Sequence, residues 1–254
     1  MERLEVDITI ITIFRNEKNH IEATIDSIKD QDYVNYECLM VDGGSDDNSA
    51  EIVLQMTKGD PRFKLVSQLS LGISNAFNEG LQQSDGKYIV FLNGGDQFSS
   101  EKSLSIMMSH TIENPDAIHS FRSEYIEITG EPTGKYFPKK TPDQNKLAWY
   151  CSLSHQGSLI PRKFFSRYGG FLPVLKVAMD YELWLRALSN KYPIKGYSNV
   201  VAYHRIGGIS FQNINQSRKE LILCRLLHLG FFRTSLIKDF CQALIILFGK
   251  MRVQ

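Results

Sequence analysis

The first ninety or so residues alternate short β-branched apolar runs with segments of helical period, and that alternation restricts the chain to a wound α/β sheet. Asp7 to Ile13 is a compact run rich in Ile and Thr, read as a buried strand. Arg15-Asn16-Glu17 closes it, and Ile21, Ile25 and Ile28 then recur at helical spacing. Cys38 to Val41, Phe63 to Val66 and Tyr88 to Leu92 read as three further strands. Between them, Ser45-Asp46-Asp47-Asn48 can cap a helix that turns Ile52, Val53 and Met56 inward, and a second helix is expected from about Ser74 to Gln83. This β-α-β-α-β-α-β order predicts a mixed, mainly parallel sheet flanked by helices. Ligands on such sheets bind beyond the carboxyl ends of the strands. The segments after Ile13, Val41 and Leu92 emerge at that edge, so Arg15, Asn16, Asp42 and Asp96 are expected to converge there.

After Ser99 the pattern changes. A helix is expected near 101–110, a strand from Asp116 to Phe121, and a hairpin from Glu124-Tyr125-Ile126-Glu127-Ile128 to Lys135-Tyr136-Phe137. Helices follow near Pro161 to Arg167 and Asp180 to Leu188, with Tyr192 to Tyr203 extended. With no linker or low-complexity run, residues 1–235 read as one domain, with a donor half over about 1–100 and an acceptor half over about 101–210.

A net charge of +1 supplies no field that would recruit nucleic acid, so no nucleic-acid partner is expected. The four cysteines, Cys38, Cys151, Cys224 and Cys241, are widely spaced in apolar runs and read as buried free thiols, which suits a reducing cytoplasm. The N-terminus, Met1-Glu2-Arg3-Leu4-Glu5, carries acids where a signal peptide needs a basic region and an apolar core. No apolar run approaches the roughly 18–20 residues that span a bilayer.

Several segments carry chemistry. They are Ile11-Thr-Ile-Phe-Arg-Asn-Glu17, Val41-Asp-Gly-Gly-Ser-Asp-Asp-Asn-Ser49, Gly72-Ile-Ser-Asn-Ala-Phe-Asn-Glu-Gly80 and Gly86-Lys-Tyr-Ile-Val-Phe-Leu-Asn-Gly-Gly-Asp96. Later come His155-Gln156, Asp180-Tyr-Glu-Leu-Trp-Leu-Arg186 and Gly207-Gly-Ile-Ser210. In this order the chain resembles the family 2 glycosyltransferases, inverting enzymes of the GT-A fold. The likeness runs over about residues 7–210, and its first four segments look most like a branch that builds bacterial cell-surface polysaccharides.

The resemblance implies a Rossmann-like half that binds a nucleotide-diphosphate sugar, UDP-linked by default, through Ile13, Arg15, Asn16, Glu17, Asp42, Gly44, Ser45, Asn78, Asn93, Gly94 and Gly95. Asp42 matches the acid set against base or ribose, where the plain structural alternative is a capped strand-to-helix turn. Asp96 matches the last acid of the metal motif and implies a divalent cation, Mg²⁺ or Mn²⁺, with His204 as a further candidate ligand. Asn93 and Gly95 stand where relatives carry acids. Asp180 matches the general base that an inverting transfer needs, with N-capping of its helix as the bland reading and Glu182 as a second acid nearby. His155, Gln156, Glu182 and Arg186 fall on the acceptor or phosphate side. Phe77 stands where many relatives place an arginine.

Leu236, Phe240, Leu244, Leu247 and Met251 recur at helical spacing over 236–254, flanked by Lys238, Lys250 and Arg252. From Arg218 onward seven Lys/Arg face two acids, net +5, leaving the remainder net −4. The stripe suits packing on the body, a homodimer contact, or an interfacial helix on the inner face of the cytoplasmic membrane, where a polyprenyl-linked glycan acceptor would lie. Two other classes compete. A nucleotidyltransferase needs a Gly-rich basic loop at the first strand and a dinucleotide oxidoreductase needs GxGxxG there, and this chain carries neither. A non-catalytic sugar-nucleotide binder differs from the enzyme only in turnover.

Overall fold

The computed structural model describes residues 5–208 and 213–229. Strand β1, Ile8–Phe14, is buried along almost its whole length, as its β-branched run requires. Helix α1, Ile21–Lys29, buries Ile21, Thr24, Ile25 and Ile28 along one stripe. Strand β2, Tyr36–Asp42, helix α2, Ser49–Thr57, and strand β3, Phe63–Ser67, follow. Next come helix α3, Ile73–Gln83, strand β4, Tyr88–Phe91, and the two-residue strand β5, Gln97–Phe98.

The second part holds helix α4, Ser103–Ser109, strand β6, Ile118–Ile126, strand β7, Pro132–Phe137, and a 3-10 turn at Gln144–Lys146. Strand β8, Ser158–Pro161, leads directly into helix α5, Arg162–Tyr168. Helix α6, Met179–Ser189, strand β9, Ile194–Arg205, and helix α7, Ile214–Leu229, complete the described chain.

The strands form one sheet in the order β3-β2-β1-β4-β8-β6-β9-β5, with β7 paired on β6. β1, β2, β3 and β4 run parallel. β8 is antiparallel to both β4 and β6, and β6 and β9 are parallel to each other. Alternate side chains feed two cores. Ile11, Phe91, Phe164 and Trp184 lie in one, and Ile10, Val90, Phe121 and Val201 in the other. Phe14 pairs with Asp42 and Asp42 with Ser67, so three strands end level and their loops leave the same edge.

Two expected elements merge. The strand expected over 116–121 and the first hairpin arm are one strand, β6, whose pairing with β9 shifts register around Arg122. Three elements were not expected: β5, β8 and α7. None of the seven helices among the described residues is long and apolar enough to cross a membrane. The expected helix over 236–254, Cys241, and Ile209-Ser210 lie outside the described residues.

Candidate active site

At the level edge of the sheet, the loops after β1 and β2 are laced together. Asn16 takes a left-handed turn at φ 56°, and its N–H donates to Ser45 Oγ at 3.0 Å. Its own Oδ1 accepts from Asp46 N–H at 3.0 Å, and Glu17 N–H donates to Ser49 Oγ at 2.8 Å. Asp42 Oδ1 accepts from both the N–H and the hydroxyl of Ser45, at 3.0 and 2.6 Å. Bonded to the residue three positions on, Asp42 caps the turn that leaves β2, the structural role weighed for it. Gly43 lies so close to Phe14 and Arg15 that a Cβ there would be 3.3 Å from the Phe14 carbonyl and the Arg15 Cβ. Its backbone therefore forms cleft wall that a side chain would fill.

Beyond this edge opens a cleft of about 670 Å³. Of the donor-side residues expected from sequence, Ile13, Arg15, Glu17, Asn93 and Gly94 line it. Asp96, His155, Gln156, Asp180 and His204 line the remaining polar wall. Asn16, Ser45 and the Asp42 side chain brace the loops outside the lining, Gly44 is exposed and also outside it, and Gly95 is buried against Arg205. Phe77 lines the cleft, packed on Phe91 and Phe171 with ring centroids 4.9 Å from each, and 6.2 Å from the His155 ring.

Asp96 is held on a turn that begins where β4 ends. Gly95 sits at φ 90°, where a side chain would be strained and would meet the Arg205 guanidinium. Thr24 clamps the turn, accepting from Gly95 N–H at 2.9 Å and donating to the Asp96 carbonyl at 2.8 Å. The Asp96 carboxylate accepts from Arg205 N–H at 3.0 Å and from Gln156 Nε2 at 2.9 Å. Arg205 reaches across to Glu17 at 2.5 Å. Burial pushes the Glu17 carboxyl up, against the pull of Arg205 and with help from the Asp96 charge. Burial likewise lowers His204, favouring the neutral ring.

Among the described residues, no three His, Cys, Asp or Glu side chains gather as a metal cage. The donor set is one carboxylate, Asp96, each of whose oxygens accepts one donor and keeps lone pairs, with a neutral imidazole adjoining it on β9. Such a set fits a hard cation that takes most of its oxygens from substrate phosphates and water, rather than one held in advance by the protein.

Asp180 lies in the first turn of α6, with Oδ1 accepting from Tyr181 N–H at 2.7 Å and Oδ2 3.7 Å from His155 Nδ1. His155 Nε2 is 3.2 Å from Asn93 Nδ2. An amide N–H donating to Nε2 leaves the imidazole proton on Nδ1, the side that faces the carboxylate. Cys151 completes this wall, and burial pushes its thiol well up, so it stays protonated.

Three expected site residues stand outside the cleft lining: Asn78 and Arg186 hold backbone groups, and Glu182 pairs with two side chains. Asn78 holds Phe171, accepting from its N–H and donating to its carbonyl, both at 2.8 Å. Arg186 donates to the carbonyls of Tyr168, Gly169 and Gly170 at 2.7, 2.8 and 2.8 Å, and pairs with Glu182. Glu182 is 1% exposed and also accepts from His228 at 2.7 Å. Burial opposes its charge, but His228 and Arg186 outweigh it and hold the carboxyl below the ordinary range. Sequence reading missed the aromatic wall of Tyr125 and Phe137, the apolar rim at Leu71, and the contribution of α7 through Ser217 and Leu221. Only the polar His204-Arg205 end of β9 offered a signal for Arg205.

Residues 9–169 match the profile of glycosyl transferase family 2. An uncharacterized glycosyltransferase of Rickettsia felis is 28% identical over 188 residues, 71% of this chain but only 31% of that protein. The UDP-Glc:alpha-D-GlcNAc-diphosphoundecaprenol beta-1,3-glucosyltransferase WfaP of Escherichia coli is 26% identical over 217 residues, covering 85% of this chain and 82% of its own length. Staphylococcus aureus TarS 1–349, solved in complex with UDP-GlcNAc, superposes with a TM-score of 0.68 at 17% identity over 87% of this chain and 67% of that one. The Pyrobaculum calidifontis mannosyltransferase PcManGT, in complex with GDP-Man and Mn²⁺, does so with a TM-score of 0.62 at 18% identity over 93% and 64%. Matched by profile over most of its length and sharing the GT-A fold of these neighbours, the chain belongs to glycosyl transferase family 2 and is a glycosyltransferase.

Proposed function

We propose that this chain moves a sugar, with inversion, from a nucleotide-diphosphate sugar to a hydroxyl of a lipid-linked glycan in the assembly of a cell-surface polysaccharide. A UDP-sugar is the first candidate donor. The observation that carries the reading is Asp180, an accessible carboxylate on the cleft wall with the His155 ring beside it, opposite the nucleotide-side loops. WfaP, a relative over most of its length, acts by name on a UDP-sugar and a diphosphoundecaprenol-linked sugar, which supports the donor and acceptor classes.

In this mechanism the nucleotide lies along Ile13, Arg15 and Gly43. Asp180 takes the proton of the acceptor hydroxyl, and the freed oxygen pair attacks the anomeric carbon from the face opposite the diphosphate. The bond from that carbon to the diphosphate oxygen breaks, and the nucleoside diphosphate leaves. His155, with its proton on Nδ1, orients Asp180, and the apolar wall of Phe77 and Phe171 excludes water from the donor. Asp96 would be the protein carboxylate for a divalent cation, Mg²⁺ or Mn²⁺, bound with the donor. That cation would offset the charge developing on the leaving diphosphate. A lipid-linked acceptor would place the enzyme at the inner face of the cytoplasmic membrane, in contact through its basic tail.

Asp180→Asn tests the reading. Transfer should fall by about 10²–10⁴-fold, while UDP, with and without Mn²⁺, should raise Tm as it does in the unsubstituted protein. Full transfer by the variant would overturn the assignment of the base.

A further inference from the structure

Helix α6 begins without a side-chain cap of its own, and Ala178 occupies its N-cap position. The three successive N–H groups of Lys176, Val177 and Ala178 turn instead toward one carboxylate on a different helix. Glu220 of α7 accepts them at 3.0, 2.8 and 2.9 Å, and takes a fourth hydrogen bond from Gln216 Nε2 at 2.8 Å. Glu220 is 3% exposed. Burial alone would raise its carboxyl, but these donors outweigh it and hold the group below the ordinary range. A negative charge at this place also complements the amino end of the α6 dipole.

The rest of the same face of α7 continues the contact. Cys224 Sγ lies 3.9 Å from the Ala178 carbonyl, Arg225 Nε donates to the Tyr181 phenol at 2.9 Å, and His228 meets Glu182 at 2.7 Å. The chain on both sides of Asp180 is thus tied to one helix, two residues before the base at Ala178 and one after it at Tyr181. Asp180 itself is left free to face the cleft.

We infer that Glu220 is a positioning residue, a cap supplied from α7 that fixes the start of α6 and so sets where Asp180 stands. Glu220 lies beyond residues 9–169, the part of the chain that matches the family profile. The inference rests on Asp180 being the base. Its physical content is that a misplacement of about 1 Å at a catalytic group costs on the order of 10²-fold in rate.

The test is Glu220→Gln, which keeps the shape but turns an amide N–H₂ toward donors that need an acceptor. The readout is UDP release from UDP-glucose with a synthetic diphospholipid-linked N-acetylglucosamine, with Asp180→Asn measured in parallel. Expected is a fall in kcat of roughly tenfold to hundredfold, with KM for UDP-glucose changed by less than about threefold. A lower Tm with unchanged kcat per folded molecule, or a raised donor KM with unchanged kcat, would overturn the inference while Asp180→Asn stays inactive. Retained transfer in Asp180→Asn would instead remove the base reading on which it rests. If Glu220→Gln does not fold, Glu220→Asp decides on the same readout. One methylene shorter, it keeps the charge but falls short of the three N–H groups, and an unsubstituted kcat there would also overturn the inference.

Discussion

His155 and Gln156 are consecutive, yet their side chains serve two acids drawn from distant parts of the chain. His155 stands beside Asp180, and Gln156 donates to Asp96. The pair therefore links Asp180 to Asp96 across the cleft wall. His155→Ala should lower kcat about tenfold to hundredfold, because Asp180 loses the ring that orients it. UDP binding followed by thermal shift should persist, since Gln156 and Asp96 remain. An unchanged kcat would show that Asp180 is oriented by α6 alone. Asp96, Asp180 and the His-Gln pair were marked in sequence by the family resemblance, and the fold brings them to one cleft wall. Asn78, Glu182 and Arg186 carry the same polar chemistry but spend it on backbone carbonyls, on Phe171 N–H and on His228. No local pattern distinguishes those uses, because the partners lie elsewhere in the chain.

At the scale of elements, β1 to β4 were legible within two residues of their ends, since each is a short apolar or β-branched run bounded by turn residues. Close packing explains part of the pattern between them: a Cβ on Gly80 of α3 would sit 2.5 Å from Ile11 Cγ2, so this helix rests on β1 through a glycine. β8 escaped notice because four residues ending in proline form a strand only between β4 and β6, two partners far off in sequence. α7 escaped notice for a different reason. The residues it buries are Glu220, Cys224 and Arg225, so its inner face does not read as apolar. The C-terminal stripe over 236–254 has the opposite character, apolar on one side with Lys238, Lys250 and Arg252 beside it. If it is the membrane contact, each basic residue contributes roughly 1 kcal/mol at an anionic surface. A chain ending at residue 235 should then move from the membrane fraction to the supernatant at moderate salt. Unchanged sedimentation would remove this role.

For the molecule as a whole, acid should act in two separate stages. Glu182 and Glu220 have lowered carboxyl values in the fold. The stability they confer is present above the ordinary carboxylate value of about 4.3 and is lost as pH falls below it. The first stage comes earlier and belongs to the histidines. His119 is fully buried, its Nε2 2.9 Å from the Asn114 carbonyl and its Nδ1 3.0 Å from the Tyr197 hydroxyl. That pairing suits the neutral ring, with Nε2 donating to the carbonyl and Nδ1 accepting from the hydroxyl. Burial lowers its value, the Asn114 carbonyl opposes this, and His110 and Lys195 add to the lowering. The unfolded chain therefore takes up the proton first. Stability from the neutral ring is complete above about pH 6.5 and declines as pH falls through that value. Burial lowers His204 in the same direction. Tm should drop between pH 7.5 and 5.5, before Glu182 and Glu220 titrate, and His119→Gln should flatten that drop by on the order of 2–4 °C whatever its own stability at pH 7.5. Parallel curves for the two proteins would show that His119 takes up its proton without disturbing Tyr197, and the early acid stage would then rest on His204.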